Sequence, residues 1–232
     1  MNNISIIPIK NLPEFEPKHD LVDEIIKTFS SNNFVLEDKD VIVITQKIVS
    51  KVEDRLIKND NESIEKLIQQ ESLEILRKRG DTVIARTKHG FICANAGIDK
   101  SNIEKGSVLL LPEDPDKTSR DIRKKIEHVT NKKISIIISD TFGRAWRKGQ
   151  TNVAIGSSGI QPLESYIGEK DAFDNELFAT EIAIIDELAG AAELVMKKSD
   201  NIPVAIIRGV NYKYSDLGVK ELIRKEDEDF FL

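Results

Sequence analysis

Three short stretches of the chain are apolar at nearly every position: Val41–Ile44, Ile134–Ile138 with Ser135 as its one polar member, and Val204–Ile207. A strand with one wet face alternates, so unbroken runs this short read as strands covered on both faces. Ile4–Ile9 reads as a first strand broken by Pro8, and Val83–Ala85 and Gly90–Ala94 as strands around the loop Lys88-His89-Gly90. Val108–Leu111 is a further apolar run, closed by Pro112. Helical spacing of apolar residues runs through Leu21–Phe29. It recurs in Asn61–Arg79 (Ile64, Leu67, Ile68, Ile75, Leu76) and in Asp116–Lys133 (Ile122, Ile126, Val129). Ile182–Met196 reads as a strand passing into a buried, alanine-rich helix. Strands and helices do not alternate as in a doubly wound fold, so the pattern predicts an α+β or mixed α/β fold. No repeat or Gly/Ser/Pro-rich linker divides the chain, and residues 1–232 read as a single domain.

Composition narrows the classes. Apolar residues make up 40% of 232, enough for a substantial core. The formal charge of −6 lacks the overall basic field of a nucleic-acid binder. No apolar run approaches the roughly 20 residues of a membrane span. The first residues, MNNISIIPIKNLPEF, have no basic region ahead of an apolar one, unlike a signal peptide. One cysteine, Cys93, excludes an internal disulfide and a multi-cysteine zinc site. The expectation is a soluble cytoplasmic protein without nucleic-acid or membrane partners.

The polar positions carry the chemistry. In ISIIISDTFGRAWRKGQTNVAIGSSGIQPL the strand reads as ending at Ser139-Asp140-Thr141, which sets a carboxylate beside a hydroxyl, both suited to a hard divalent ion. Arg144, Arg147 and Lys148 follow, and then Gly156-Ser157-Ser158-Gly159, where backbone N–H groups can approach an anion. Together these suggest a metal–nucleotide site. Lys47 and Lys51, four apart after Val41–Ile44, share a face if helical and can meet phosphates, or else are two solvated lysines. Within Lys88–Asn102, Asp99 and Asn102 can reach one centre from a tight turn. His89 is weak evidence alone, and Cys93, among apolar neighbours, reads as a small buried hydrophobe. Met196–Pro203 joins a helix to a strand, and its lysines fit an ordinary helix C-terminus equally well. Neither a GxxxxGK[ST] loop nor GxGxxG after a strand occurs, so a nucleotide would be held in an unusual way.

The blocks TQKIVSK, KHGFICANAGIDKSN, LLLPEDPDKTSRDIR, ISDTFGRAWRKGQTNVAIGSSGIQPL, DELAGAAELVM and IPVAIIRG resemble, in that order, those of the coenzyme F-420 γ-glutamyl ligases. The resemblance spans nearly the whole chain. It implies a family-specific α+β fold that dimerises extensively, with the site in a groove near the dimer contact. It implies addition of L-glutamate to coenzyme F-420-0, then of a further glutamate through the γ-carboxylate, with GTP converted to GDP and phosphate. Mg²⁺ or Mn²⁺ at two sites and a monovalent ion such as K⁺ are implied as cofactors. By position, Asp99 and Asp140 match the carboxylates of one metal, and Thr141 a ligand of the second. Leu12, Pro13, Glu14, Phe15, Gln46, Lys47, Lys51 and Asn102 match nucleotide contacts, as do Met196, Lys197, Lys198, Ser199, Asp200, Asn201, Ile202 and Pro203. The chain departs from the family at Lys198, where a glutamine that ligates the second metal is usual; an ammonium cannot ligate without losing its proton. Ala145 and Lys148 are milder departures, from proline and glutamate.

The chemistry implied is transfer of the γ-phosphoryl group to the acceptor carboxylate, then displacement of phosphate by the glutamate amine. Metals and cations would dominate such a step, and Arg144 or Arg147 could grip a carboxylate or substrate phosphate in bidentate fashion. The alternatives are a GTP-dependent ligase for another carboxylate acceptor and a non-catalytic GTP-binding sensor.

Overall fold

The computed structural model describes residues 3–58, 64–101, 103 and 106–230. In chain order the first half contains β1 (Ser5–Ile9), α1 (Leu21–Ser31), β2 (Val41–Thr45), α2 (Gln46–Val52), β3 (Leu56–Lys58), α3 (Ile64–Glu71), β4 (Ser72–Arg79), β5 (Thr82–Thr87) and β6 (Ile92–Ala94). The second half contains β7 (Ser107–Leu109), α4 (Pro115–Thr130), β8 (Ser135–Arg144), β9 (Arg147–Ser158), β10 (Glu164–Ser165), β11 (Glu181–Ile182), α5 (Ile184–Met196) and β12 (Val204–Arg208). Helix and strand mix without regular alternation, consistent with the α+β expectation.

The main sheet has the order β1-β12-β2-β8-β9, with only β2 and β8 parallel. Val41–Ile44, Ile136–Ile138 and Val204–Ile207 are fully buried, as unbroken apolar runs require of strands covered on both faces. Pro8 does not break β1: it pairs with Ala205 inside an edge strand, where one ladder partner is absent and the missing N–H is tolerated.

Between β2 and β8 the chain makes an excursion whose neck is the antiparallel pair β3 and β7. It has its own small core of Leu67, Ile68, Val83, Ala85, Ala96, Ile98, Val108 and Leu110. Here the helical reading of Asn61–Arg79 is corrected. The helix ends at Glu71, and Ser72–Arg79 is a strand paired antiparallel with β5 across the Gly80-Asp81 turn. Gly80 has φ +58°, a left-handed conformation that lets a two-residue hairpin form, and hairpin pairing overrides the helical periodicity. Residues 61–63 of that reading lie outside the described residues. In α4, Ile122 and Ile126 are buried, but Val129 is 58% exposed, so the apolar stripe ends a turn earlier than expected.

β8 does not stop at Ser139. It runs to Arg144 and turns back as β9, so Asp140 and Thr141 lie inside a long hairpin. Gly156-Ser157-Ser158 is not a phosphate loop but part of β9, paired with Ile138, Ile137 and Ile136. A Cβ on Gly156 would stand 2.4 Å from the carbonyl oxygen of Pro115, so the glycine lets α4 rest on the strand. The Ser157 N–H does face an anion, the chain's own buried Asp116, at 2.9 Å.

Candidate active site

Two carboxylates reach one cavity by different devices. Asp99 follows a tight turn, Asn95-Ala96-Gly97, in which all three residues have positive φ (51°, 54° and 74°). Asn95 Oδ1 accepts from the Val83 N–H at 3.0 Å, and the Asp99 backbone exchanges two 2.9 Å hydrogen bonds with Leu109. Asp140 lies on β8 just after an irregularity in which Ile138 pairs with Gly156 but Ser139 with Ala154, leaving Ile155 as an extra residue on β9. Such a bulge re-aims the side chains beyond it.

Lys47 stands between the two loops. Its Nζ lies 2.7 Å from Asp99 Oδ2 and donates to the Ser101 hydroxyl. Lys47 and Lys51 both lie on α2 and both face the cavity; Lys51 pairs with Glu14 of the Leu12–Phe15 loop. Burial pushes the Asp99 carboxyl up, but hydrogen bonds from Lys47 and the Ser101 N–H win and hold it below the ordinary value. Asp140 goes the other way: loss of water raises it to about 6, with Asp99 adding to the rise, against a Thr141 backbone hydrogen bond and the charges of Lys47 and Lys198.

Opposite them a polar knot joins β8, β9 and the end of α5. Lys198 Nζ lies 2.6 Å from Thr141 Oγ1, 3.2 Å from Asn152 Oδ1 and 2.9 Å from Glu193 Oε1. Thr141 donates to Asn152 Oδ1 at 2.7 Å, and Asn152 Nδ2 donates to Glu193 Oε2 at 2.8 Å.

The cavity so enclosed has a volume of about 750 Å³. Its wall brings together the Leu12–Phe15 loop, both lysines, Asp99, Asp140, Thr141 and much of the 196–203 loop. Other expected residues stand elsewhere. Gln46 is fully buried behind the wall, where its Oε1 accepts from the Ser50 hydroxyl at 2.8 Å. Ser199 and Asp200 are exposed on the loop outside the wall. Arg144 and Arg147 are exposed at the tip of the β8–β9 hairpin, where Arg144 donates to the Lys148 carbonyl at 2.9 Å. Asn102 lies outside the described residues. Cys93 is 6% exposed and its thiol is pushed up to about 12 by burial and by Asp140. His89 Nε2 lies 2.9 Å from the Pro112 carbonyl oxygen, a tie between loops.

Sequence reasoning missed Glu193, Asn152 and Ser101. Glu193 had a signal: it interrupts the otherwise apolar second half of DELAGAAELVM.

Among the described residues no group of three His, Cys, Asp or Glu stands together as a metal site. Asp99 and Asp140 nevertheless fit one hard ion. They are two carboxylates on one cavity, with Lys47 on Asp99 Oδ2 and no lysine hydrogen-bonded to Asp140 among the contacts described; phosphate and water oxygens usually complete such a shell. The place beside Thr141 does not fit a second ion, because Lys198 fills it.

A family profile described as F420-0:Gamma-glutamyl ligase matches residues 10–209, and the chain belongs to that family. Among its relatives, a protein of Methanococcus maripaludis named coenzyme F420:L-glutamate ligase is 44% identical over 218 residues, covering 86% of this chain and 88% of its own. One of the same name from Methanocaldococcus jannaschii is 44% identical over 216 residues, covering 85% and 86%. No helix among the described residues is long and apolar enough to cross a membrane.

Proposed function

We propose that this chain is a GTP-dependent ligase that adds L-glutamate successively to coenzyme F-420-0, giving the γ-linked tail through an acyl phosphate. The observation that carries the reading is the convergence of Lys47, Lys51, Asp99 and Asp140 on one 750 Å³ cavity in a member of this family. A volume of that order suits a nucleotide-sized ligand.

An acceptor carboxylate does not condense with an amine in neutral water. One of its oxygens attacks the γ-phosphorus, GDP leaves, and the glutamate amine then attacks the acyl carbon and expels phosphate. Lys47 and Lys51 lie where they can neutralise phosphates, and Lys47 also fixes Asp99. A Mg²⁺ or Mn²⁺ ion on Asp99 and Asp140 supplies charge neutralisation and alignment of the transferred group when bound. K⁺ belongs to the same reading as an activator. No protein nucleophile is needed, in keeping with the buried Cys93 thiol. Arg144 and Arg147 stay candidates for holding an acceptor phosphate or carboxylate at the hairpin tip. A homodimer is part of the reading, supported by the exposed aromatics Trp146, Phe173 and Phe178.

The test is GDP release with each component omitted in turn. Repeated release, beyond one GDP per chain, should require F-420-0, L-glutamate, the divalent ion and the protein together. Release without F-420-0 but with another carboxylate would assign a different acceptor. Binding of GTP without any release would make the chain a sensor.

A further inference from the structure

We propose that the Lys198 ammonium is a built-in cation of this site, standing where a second divalent ion would be held, so that each chain takes one divalent ion and not two. The inference rests on the metal–nucleotide reading above and adds to it a stoichiometry.

Thr141 Oγ1, Asn152 Oδ1 and Glu193 Oε1 come from three different elements and face one point. A hydroxyl, an amide oxygen and a carboxylate are together the donor set of a hard cation. The point is already taken. An ammonium carries three N–H donors, and these three oxygens lie 2.6, 3.2 and 2.9 Å from Lys198 Nζ. The knot is oriented for a cation: Asn152 spends its Nδ2 on Glu193 Oε2 and so turns its Oδ1 to the lysine. The chain path delivers the lysine there. Lys197, with φ 52°, ends α5 and donates its N–H to the Glu193 carbonyl, bringing Lys198 back beside Glu193.

Charge decides the rest. Glu193 balances Lys198, so the knot has no excess negative charge to attract a second divalent ion. An ion on Thr141 would also face the ammonium at a distance where repulsion is strong. On the other side of the cavity two carboxylates, Asp99 and Asp140, stand with one close lysine, Lys47, 2.7 Å from Asp99 Oδ2.

The experiment counts ions instead of turnovers. Mn²⁺ is titrated into the full-length protein with guanosine 5′-(β,γ-imido)triphosphate, and bound Mn²⁺ is read by electron paramagnetic resonance. The parent should saturate at one ion per chain with no Mn–Mn coupling. Lys198→Gln, at an exposed side chain, should take a second, coupled ion, and Lys198→Arg should stay at one. Two ions in the parent, or one in Lys198→Gln, would overturn the inference and leave the ligase reading standing. No retained Mn²⁺ in any of the three proteins would overturn the metal–nucleotide reading and this inference with it.

Discussion

Replacing Asp140 with asparagine should make the metal-free protein more stable while removing its activity. The parent carboxyl is raised from the ordinary 3.8 to about 6, chiefly by loss of water. Keeping it ionised at pH 8 therefore costs the fold ~3 kcal/mol. The folded value lies above the unfolded one, so the penalty is absent below 3.8, grows as pH rises towards 6 and is complete above it. Asparagine has the same shape and no charge. In a chain of this size ~3 kcal/mol moves the midpoint by roughly 6–12 °C. Thermal unfolding in EDTA at pH 8 should show that rise for Asp140→Asn, and the gap to the parent should shrink as pH is lowered. Adding Mn²⁺ with GTP should stabilise the parent and not the variant, whose turnover should fall by roughly 10³-fold or more. An unchanged or lowered midpoint in EDTA, or a gap independent of pH, would refute the electrostatic account of Asp140.

Other perturbations separate binding from packing. Lys47→Gln removes the partner of Asp99 and a cavity cation, and should raise the KM for GTP at least ~10-fold, measured by GDP release; an unchanged KM would remove Lys47 from the nucleotide site. Gly156→Ala sets a methyl 2.4 Å from the Pro115 carbonyl oxygen and should destabilise by ~1–3 kcal/mol in denaturant titration, as overpacking does; a neutral result would mean that α4 shifts freely on β9. Cys93 should resist iodoacetamide in the native protein at pH 8 and react once unfolded, and Cys93→Ala should remain active. Rapid native alkylation would contradict its burial.

The central sheet was legible because its strands are buried on both faces, and an apolar run such as Val204–Ile207 has few other uses. Pairing partners were less legible. Ser72–Arg79 carries apolar residues at spacings that suit a helix, and only its contact with β5 decides for a strand. The same holds for Gly156-Ser157-Ser158, whose composition suits a phosphate loop until α4 is seen resting on it. At the site, Asp99, Asp140 and the two lysines were readable because each follows or sits in a short apolar strand with a polar sequel. Asn152 was not, since its place at the site comes through Lys198, a contact across 46 residues; Glu193 showed only as a lone charge in an apolar stretch. Arg144 and Arg147 show the limit of proximity in sequence: a few residues along an extended hairpin carry them from the cavity to an exposed tip.

The most direct test is the mass of the deazaflavin after incubation of coenzyme F-420-0 with the protein, GTP, L-glutamate, Mn²⁺ and K⁺. The account predicts a gain of one or more glutamyl residues, matched by an equal number of GDP molecules, and no gain with Asp140→Asn. An unchanged deazaflavin mass with the parent protein would contradict it, whether or not GDP is formed.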